Sequence, residues 1–290
     1  MDTPMSVNSP LKERTDAALT RPFLKWAGNK YRIVDQIRTL LPEGKRLIEP
    51  FAGSAALFLN SNYPRYLLCD TNADLISLYK ILQQEGVGFI HYCKRYFNGE
   101  YNNAESYYAL RDRFNTTGHL RQKAALFVYL NRHGYNGLCR YNKKGGYNVP
   151  FGRYIHPYFP EKEMLAFHHK AQSADFKVCS FEQSFNLVRK GDVIYCDPPY
   201  APLTDTANFT SYSAGGFELE KQIKLSALAE QHGRKNISVL ISNHDTAFTR
   251  RIYRNADTLK YFKVQRNISC KGQKRDHAGE VLALFAQPGK

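Results

Sequence analysis

The sequence predicts a doubly wound, mostly parallel α/β sheet interrupted by an inserted, mainly helical module that carries a β-hairpin. Three observations predict it. Short apolar runs alternate with helical patterns along most of the 290 residues, the order that builds parallel sheets. One run, Asp192-Val-Ile-Tyr-Cys-Asp197-Pro198-Pro199-Tyr200, ends abruptly at two prolines. Between about residues 73 and 160 the alternation breaks, and several helical patterns follow one another with no strand between them.

The elements follow in order. Residues 1–20 are polar, lack periodicity and read as a loose tail. Helical spacing over Tyr31–Leu41 precedes strand-like runs at Arg46–Glu49 and Tyr66–Cys69, and a helical pattern follows over Ala73–Gln84. Helices are then expected near 88–97, 104–115 and 120–133. Gly134–Tyr154, rich in Gly, Asn and Tyr, reads as a hairpin with an exposed aromatic and basic tip. Beyond it, strands at Asp192–Cys196 and Ser238–Ser242 alternate with helices at Leu219–His232 and Thr246–Arg254. A twisted pair near Lys260–Gln265 and Val281–Phe285 is expected to close one edge as an antiparallel hairpin. The sheet thus takes 21–72 and 161–290, and the insert takes 73–160.

The run into Asp197-Pro198-Pro199-Tyr200 carries the chemistry. Its apolar part reads as a buried parallel strand, which the prolines must end because they cannot donate to a ladder. An acid, rigid carbonyls and an aromatic ring therefore sit at the carboxyl end of a strand, where open α/β sheets bind ligands. These groups suit a poor nucleophile such as the amino nitrogen of adenine, whose lone pair is delocalised into the ring. A carboxylate and a carbonyl accepting its hydrogens localise that pair and stabilise the developing charge. A tyrosine face gives an extruded base a stacking partner. The bland alternative is a strand that merely ends in a Pro-Pro turn.

A second candidate pocket follows the first strand. In Arg46-Leu-Ile-Glu49-Pro-Phe51-Ala-Gly53-Ser54, Gly53 permits close backbone approach, and the helix that begins there offers unpaired N–H groups. Asp70, at the end of the next strand, is placed for ribose hydroxyls. The full G-x-G-x-x-G is missing, so S-adenosylmethionine fits better than NAD, although a dinucleotide site stays open. The only tryptophan, Trp26, lies in Phe23-Leu-Lys25-Trp26-Ala-Gly28-Asn29-Lys30 and reads either as core or as part of a loop shaped around a charged ligand. Phe51 and Phe58 are most simply core.

The net charge of +15 points to a polyanionic partner. About half of it falls between Gly86 and Pro160, with eleven Lys and Arg against three Asp and Glu, which favours a footprint over general basicity. Arg132, Arg140, Lys143, Lys144 and Arg153 could form a solvated basic face. Tyr, Asn and Gly interleaved among them fit a nucleic-acid loop better. Six scattered cysteines include no C-x-x-C pair, so no metal site and no disulfide framework is expected, and the setting is a reduced cytoplasm. His133, His244 and His277 lack metal spacing, and His244 reads as loop-fixing. Asp245 is open between loop-fixing and lining the pocket. No run approaches the roughly 18 apolar residues of a membrane span.

Phe23–Lys30, Glu49–Asn60, Asn131–Asn142, Asn148–Tyr154, Asp197–Pro202, Ala207–Thr210 and Ile241–Asp245 together resemble the Dam family of DNA adenine methyltransferases, from about Pro22 to Phe285. Asp-Pro-Pro-Tyr is shared with many amino-methyltransferases, whereas the Asn131–Asn142 run is far narrower. The resemblance implies a cytoplasmic enzyme of a bacterium or its phage, monomeric, without metal. It would use S-adenosylmethionine to methylate adenine N6 in double-stranded GATC, with the adenine flipped out and the methyl group passed directly. It implies that Asp197, Pro198, Pro199 and Tyr200 hold the adenine. Trp26, Lys30, Glu49, Phe51, Gly53, Asp70 and Asp197 would meet the cofactor. Tyr135 would wedge into the base stack beside Asn136, Arg140 would read a guanine, and Leu138 and Pro150 would meet thymine methyls. Lys25 would reach the outer guanine, with Asn142, Arg153 and Tyr154 along the DNA backbone. Two positions depart from the pattern: Asn29 and Ala55 stand where glycine is usual in the family. The other readings are a cytosine-N4 or RNA adenine methyltransferase, and a DNA-binding regulator without turnover.

Overall fold

The structure is a computed structural model that describes residues 18–201, 217–264 and 278–286. Residues 1–17 of the expected tail, Pro202, the Ala207–Thr210 motif, Gln265, Cys270 and His277 lie outside the described residues.

Seven strands form one sheet: β1 (Arg46–Glu49), β2 (Arg65–Asp70), β3 (Ala174–Val178), β4 (Asp192–Cys196), β5 (Ser238–His244), β6 (Thr258–Val264) and β7 (Ala278–Phe285), in the order β3-β2-β1-β4-β5-β7-β6. The first five pair in parallel, and β7 runs antiparallel between β5 and β6. The expected antiparallel edge pair is therefore present. β3 was not expected, for a legible reason. Ala-Asp-Phe-Lys-Val is an edge strand with one polar face, so it shows no apolar run. The helices α7 (Glu161–Ala171) and α8 (Phe181–Phe185), which flank it, were missed with it.

Alternate residues of the central strands enter separate cores. Leu47, Val193 and Leu240 belong to one cluster, and Ile48, Ile194, Val239 and Ile241 to the other. This is the period-2 projection of strands covered on both faces. The second cluster is closed by α8 and by α9 (Leu219–Gly233). The first continues without a break into α3 (Ala73–Glu85), α4 (Val87–Lys94), α5 (Ala104–Thr116) and α6 (Leu120–His133). Every residue of α6 from Ala124 to His133 is buried, as in a helix enclosed on all sides. The 134–154 hairpin is held by two isolated antiparallel bridges, Gly134–Phe151 and Tyr141–Tyr147. Its turn is closed by the Asn142 N–H donating to the Gly146 carbonyl at 2.8 Å.

The chain leaves β1 toward β2 and β3, and leaves β4 toward β5, so the strand order reverses between β1 and β4. The crevice above their carboxyl ends is where this topology places a ligand. Glu49 ends β1, Asp70 ends β2 and Asp197 follows β4. Three carboxylates on neighbouring strands thus face one rim.

Candidate active site and nucleic-acid interface

Asp197 is anchored through one oxygen. Lys30 Nζ lies 2.8 Å from Oδ1, and the Ser242 hydroxyl donates to the same atom at 3.0 Å. No hydrogen bond among the described residues engages Oδ2. Register explains Ser242: Cys196 pairs with Ile241, so the next residue of each strand meets at the rim. Burial pushes the Asp197 carboxyl above its usual range, and the charge of Lys30 and the bonds from Lys30 and Ser242 hold it back only in part. The 3-10 turn Lys30–Ile33 brings Lys30 in, and its ammonium also donates to the Gly28 carbonyl at 2.5 Å and lies 4.4 Å from the centre of the Tyr200 ring.

The Asp-Pro-Pro-Tyr turn is braced before any ligand arrives. Gln222 of α9, fully buried, donates to the Pro199 carbonyl at 2.7 Å. One lone pair of that carbonyl is thereby occupied. The Asn243 side chain accepts the Ala201 N–H at 2.9 Å and donates to Gln222 and Tyr253. His244 Nδ1 meets the Ala201 carbonyl at 2.8 Å, and its ring sits edge-on to Tyr200 at 4.6 Å, which is the loop-fixing role expected of it. The Tyr200 hydroxyl donates to Glu280 at 3.1 Å. Asp245 forms a two-pronged pair with Arg250 at 2.6 and 2.8 Å, on the helix α10 (Ala247–Ile252), and so fixes its loop. Ser242, Gln222 and Asn243 carried no assigned role in the sequence; only strand register and helix packing give them one.

The neighbouring rim holds the other acids. Asp70 accepts the Gly53 N–H at 3.1 Å and the Asn72 N–H at 2.9 Å, and burial still raises its pKa. Gly53 has φ +46°, and a Cβ there would stand 2.9 Å from Trp26 Nε1. The space that glycine leaves is therefore filled by the Trp26 indole, and the Gly53 N–H is spent on Asp70. The helix after it, α2 (Ala56–Leu59), is a single turn. Phe51 stacks on Phe181 at 5.7 Å and meets Phe217 edge-on, whereas Phe58 is core. Ala55 takes the left-handed conformation with φ +59°, which explains glycine at that position in the resembled pattern. Asn29 does not need it: with φ −51° it caps the following turn, its side chain accepting the Tyr31 N–H. Glu49 is buried, and its Oε1 has no partner among the described residues. Burial, then the charge of Asp197, push its pKa up to about 8. An orphaned buried carboxyl oxygen and the half-exposed rim around Asp70 fit a ligand that brings hydroxyls and positive charge.

The insert presents a second surface beside this rim. Tyr135 is 51% exposed, and Asn136, Arg140, Asn142, Pro150 and Arg153 are exposed as well. Arg140 is held in place by Asn148, through Nε to Oδ1 at 2.8 Å and Nη2 to the carbonyl at 3.2 Å. Asn142 Oδ1 accepts the Lys144 and Gly146 N–H groups and so shapes the tip. Leu138 is half-buried against the core. Lys25 Nζ lies 4.2 Å from the Tyr154 ring, and the Tyr154 hydroxyl accepts the Asn136 N–H at 3.0 Å. Asn136 and Arg153 both hold positive φ. Arg132 is a correction: it is 8% exposed, donates to the Phe23 carbonyl and lies over Tyr158, so it belongs to the interior and not to the basic face.

Residues 26–268 match the family described as D12 class N6 adenine-specific DNA methyltransferase. The chain belongs to that family. This methyltransferase is 51% identical to the DNA adenine methylase of Vibrio cholerae over 266 residues, 91% of this chain and 96% of that one. It is 51% identical to that of Salmonella typhi and 49% identical to that of Escherichia coli K12, each over 269 residues, 93% of this chain and 96% of the relative. An adenine-specific DNA methyltransferase is an enzyme that needs a methyl donor, and its acceptor is DNA. Among the described residues no helix is long and apolar enough to cross a membrane.

Proposed function

We propose that this methyltransferase transfers a methyl group from S-adenosylmethionine to N6 of an adenine turned out of duplex GATC. The observation that carries the reading is Asp197, held on Oδ1 by Lys30 and Ser242 while Oδ2 takes no hydrogen bond among the described residues. S-adenosylmethionine supplies a methyl group on a positively charged sulfur. Asp197 Oδ2 and the Pro198 carbonyl accept the two amine hydrogens and turn the nitrogen lone pair toward the incoming carbon. Tyr200, fixed by Lys30, His244 and Glu280, stacks on the base. Glu49, Asp70, Trp26, Phe51 and Gly53 line the donor side.

In this reading 21–72 and 161–290 form the catalytic part, and 73–160 reads the DNA. Tyr135 enters the stack beside Asn136, and Leu138 and Pro150 meet thymine methyls. Lys25 reaches the outer guanine, and Asn142, Arg153 and Tyr154 follow the backbone. Digestion tests the whole reading. DNA from cells lacking adenine methylation, after expression of this chain, is expected to resist a nuclease blocked by methylated GATC and to yield to one that requires it. Unchanged digestion by both refutes it.

Arg140 offers the sharper specificity test. A guanidinium fork matches guanine O6 and N7, and Asn148 already orients it. Arg140→Ala is expected to lose about 1–3 kcal/mol on GATC and to relax one guanine position. Equal losses on every duplex, measured by methylation of single-base variants, would reassign it to phosphate contact.

A further inference from the structure

The reading loop and the segment that carries Trp26 and Lys30 are tied by one buried amide. Asn131, near the end of α6, is 1% exposed. Its Oδ1 accepts the Lys25 N–H at 2.8 Å, and its Nδ2 donates to the Lys25 carbonyl at 2.7 Å. The same Nδ2 donates to the Gly137 carbonyl at 3.3 Å. One side chain therefore grips both backbone groups of residue 25 and the middle of the loop between Tyr135 and Arg140. The Lys25 side chain also lies against Gly137: a Cβ there, at φ +60°, would stand 2.3 Å from Lys25 Cβ. Five residues beyond Lys25, Lys30 holds Asp197, and Trp26 packs on Gly53. Arg132, the next residue of α6, donates to the Phe23 carbonyl and lies over Tyr158, so it anchors the start of the segment through partners outside the 134–154 loop.

We propose that Asn131 is the positioning residue through which the DNA-reading loop sets segment 25–30, so that the cognate duplex raises affinity for the methyl donor. The proposal rests on the reading above, in which Tyr135–Arg140 meets DNA while Trp26, Lys30 and Asp197 meet donor and base. Wedging Tyr135 into a base stack displaces the Gly137 carbonyl. The shared Nδ2 passes that displacement to Lys25 because an amide cannot follow two carbonyls in different directions. A tie of this kind acts equally in both directions, since coupling between two binding equilibria is reciprocal.

The test uses the full chain and its single tryptophan, which lies inside the coupled segment. S-adenosylmethionine affinity is measured by calorimetry alone, with a GATC duplex and with a duplex changed at one base, alongside Trp26 emission and methylation of the same DNA. In wild type the GATC duplex is expected to raise donor affinity about tenfold, within the usual range of coupling, and to shift Trp26 emission. Asn131→Ala is expected to keep donor affinity without DNA within about twofold while losing the enhancement and the emission shift. Asn131→Asp, which keeps the acceptor for Lys25 and lacks both N–H donors, is expected to behave the same way. Should Asn131→Ala not fold, Asn131→Asp makes the comparison alone, since it removes both N–H donors at nearly unchanged volume. Retained enhancement in the variants, or wild type that methylates GATC with no enhancement, overturns the coupling. Wild type that methylates no GATC removes the functional reading itself, and the coupling with it.

Discussion

Replacing Asp197 with alanine is expected to reduce methyl transfer by at least about 10³-fold while DNA binding stays within severalfold of wild type. The amine of adenine gains nucleophilicity only when its hydrogens are accepted, and the charge that develops on nitrogen needs an anion in contact. In the proposed reading Asp197 supplies both through Oδ2, which takes no hydrogen bond among the described residues, and Lys30 and Ser242 keep it from turning away. The variant leaves the Lys30 ammonium with the Gly28 carbonyl and the Tyr200 ring, so the segment retains two of its attachments. In the proposed reading DNA affinity rests on the basic insert, which the change does not touch. Asp197→Asn preserves a neutral acceptor of the same shape and should fall between the two. Transfer of tritiated methyl groups into a GATC duplex, with binding measured on the same samples, decides the matter. An alanine variant retaining a tenth of wild-type turnover would contradict the role.

Glu49 is expected to take stability away as pH rises from about 4.5 to about 8, while buried His133, its pKa lowered from 6.5 to about 4, acts with the opposite sign up to about 6.5. Folded Glu49 keeps its proton up to about 8, whereas the unfolded chain releases it near 4.5, so folding takes up a proton across that window. Below 4.5 both states are protonated and nothing is lost. Above 8 the folded state must hold a buried anion beside Asp197, and the full penalty is present. At about 1.36 kcal/mol per pH unit, the window is worth roughly 5 kcal/mol. Asp197, also raised, acts with the same sign. Glu49→Gln carries no proton to lose, so its urea midpoint should decline less between pH 6 and pH 9 than that of wild type. Parallel curves for the two proteins would place the burial penalty elsewhere.

Local patterns made most of the fold legible. The four central strands are apolar because both faces are covered, and runs such as Asp192–Cys196 announce themselves. The edge strand β3 escaped because one of its faces meets water, and an edge strand with Asp and Lys resembles a loop in composition. Arg132 misled for the opposite reason. Surrounded in sequence by basic and aromatic residues, it reads as surface, yet α6 is enclosed on every side and turns it inward to the Phe23 carbonyl. Gly53 was legible as a special position, but its reason lies in Trp26, which covers it from another part of the chain.

By itself the sequence determined where a strand must end in an acid and two prolines, where the basic charge concentrates, and where the strand–helix alternation breaks, because these depend on dihedral limits, hydrophobic period and charge that act within a few residues. Only the tertiary structure decided that Ser242 and Lys30 share one oxygen of Asp197, that Gln222 takes the Pro199 carbonyl, and that Asn131 joins Lys25 to Gly137. Most of those partners lie tens to more than a hundred residues apart. What brings them within 3 Å or so is the stacking of the sheet against its helices, which no stretch of neighbouring residues encodes.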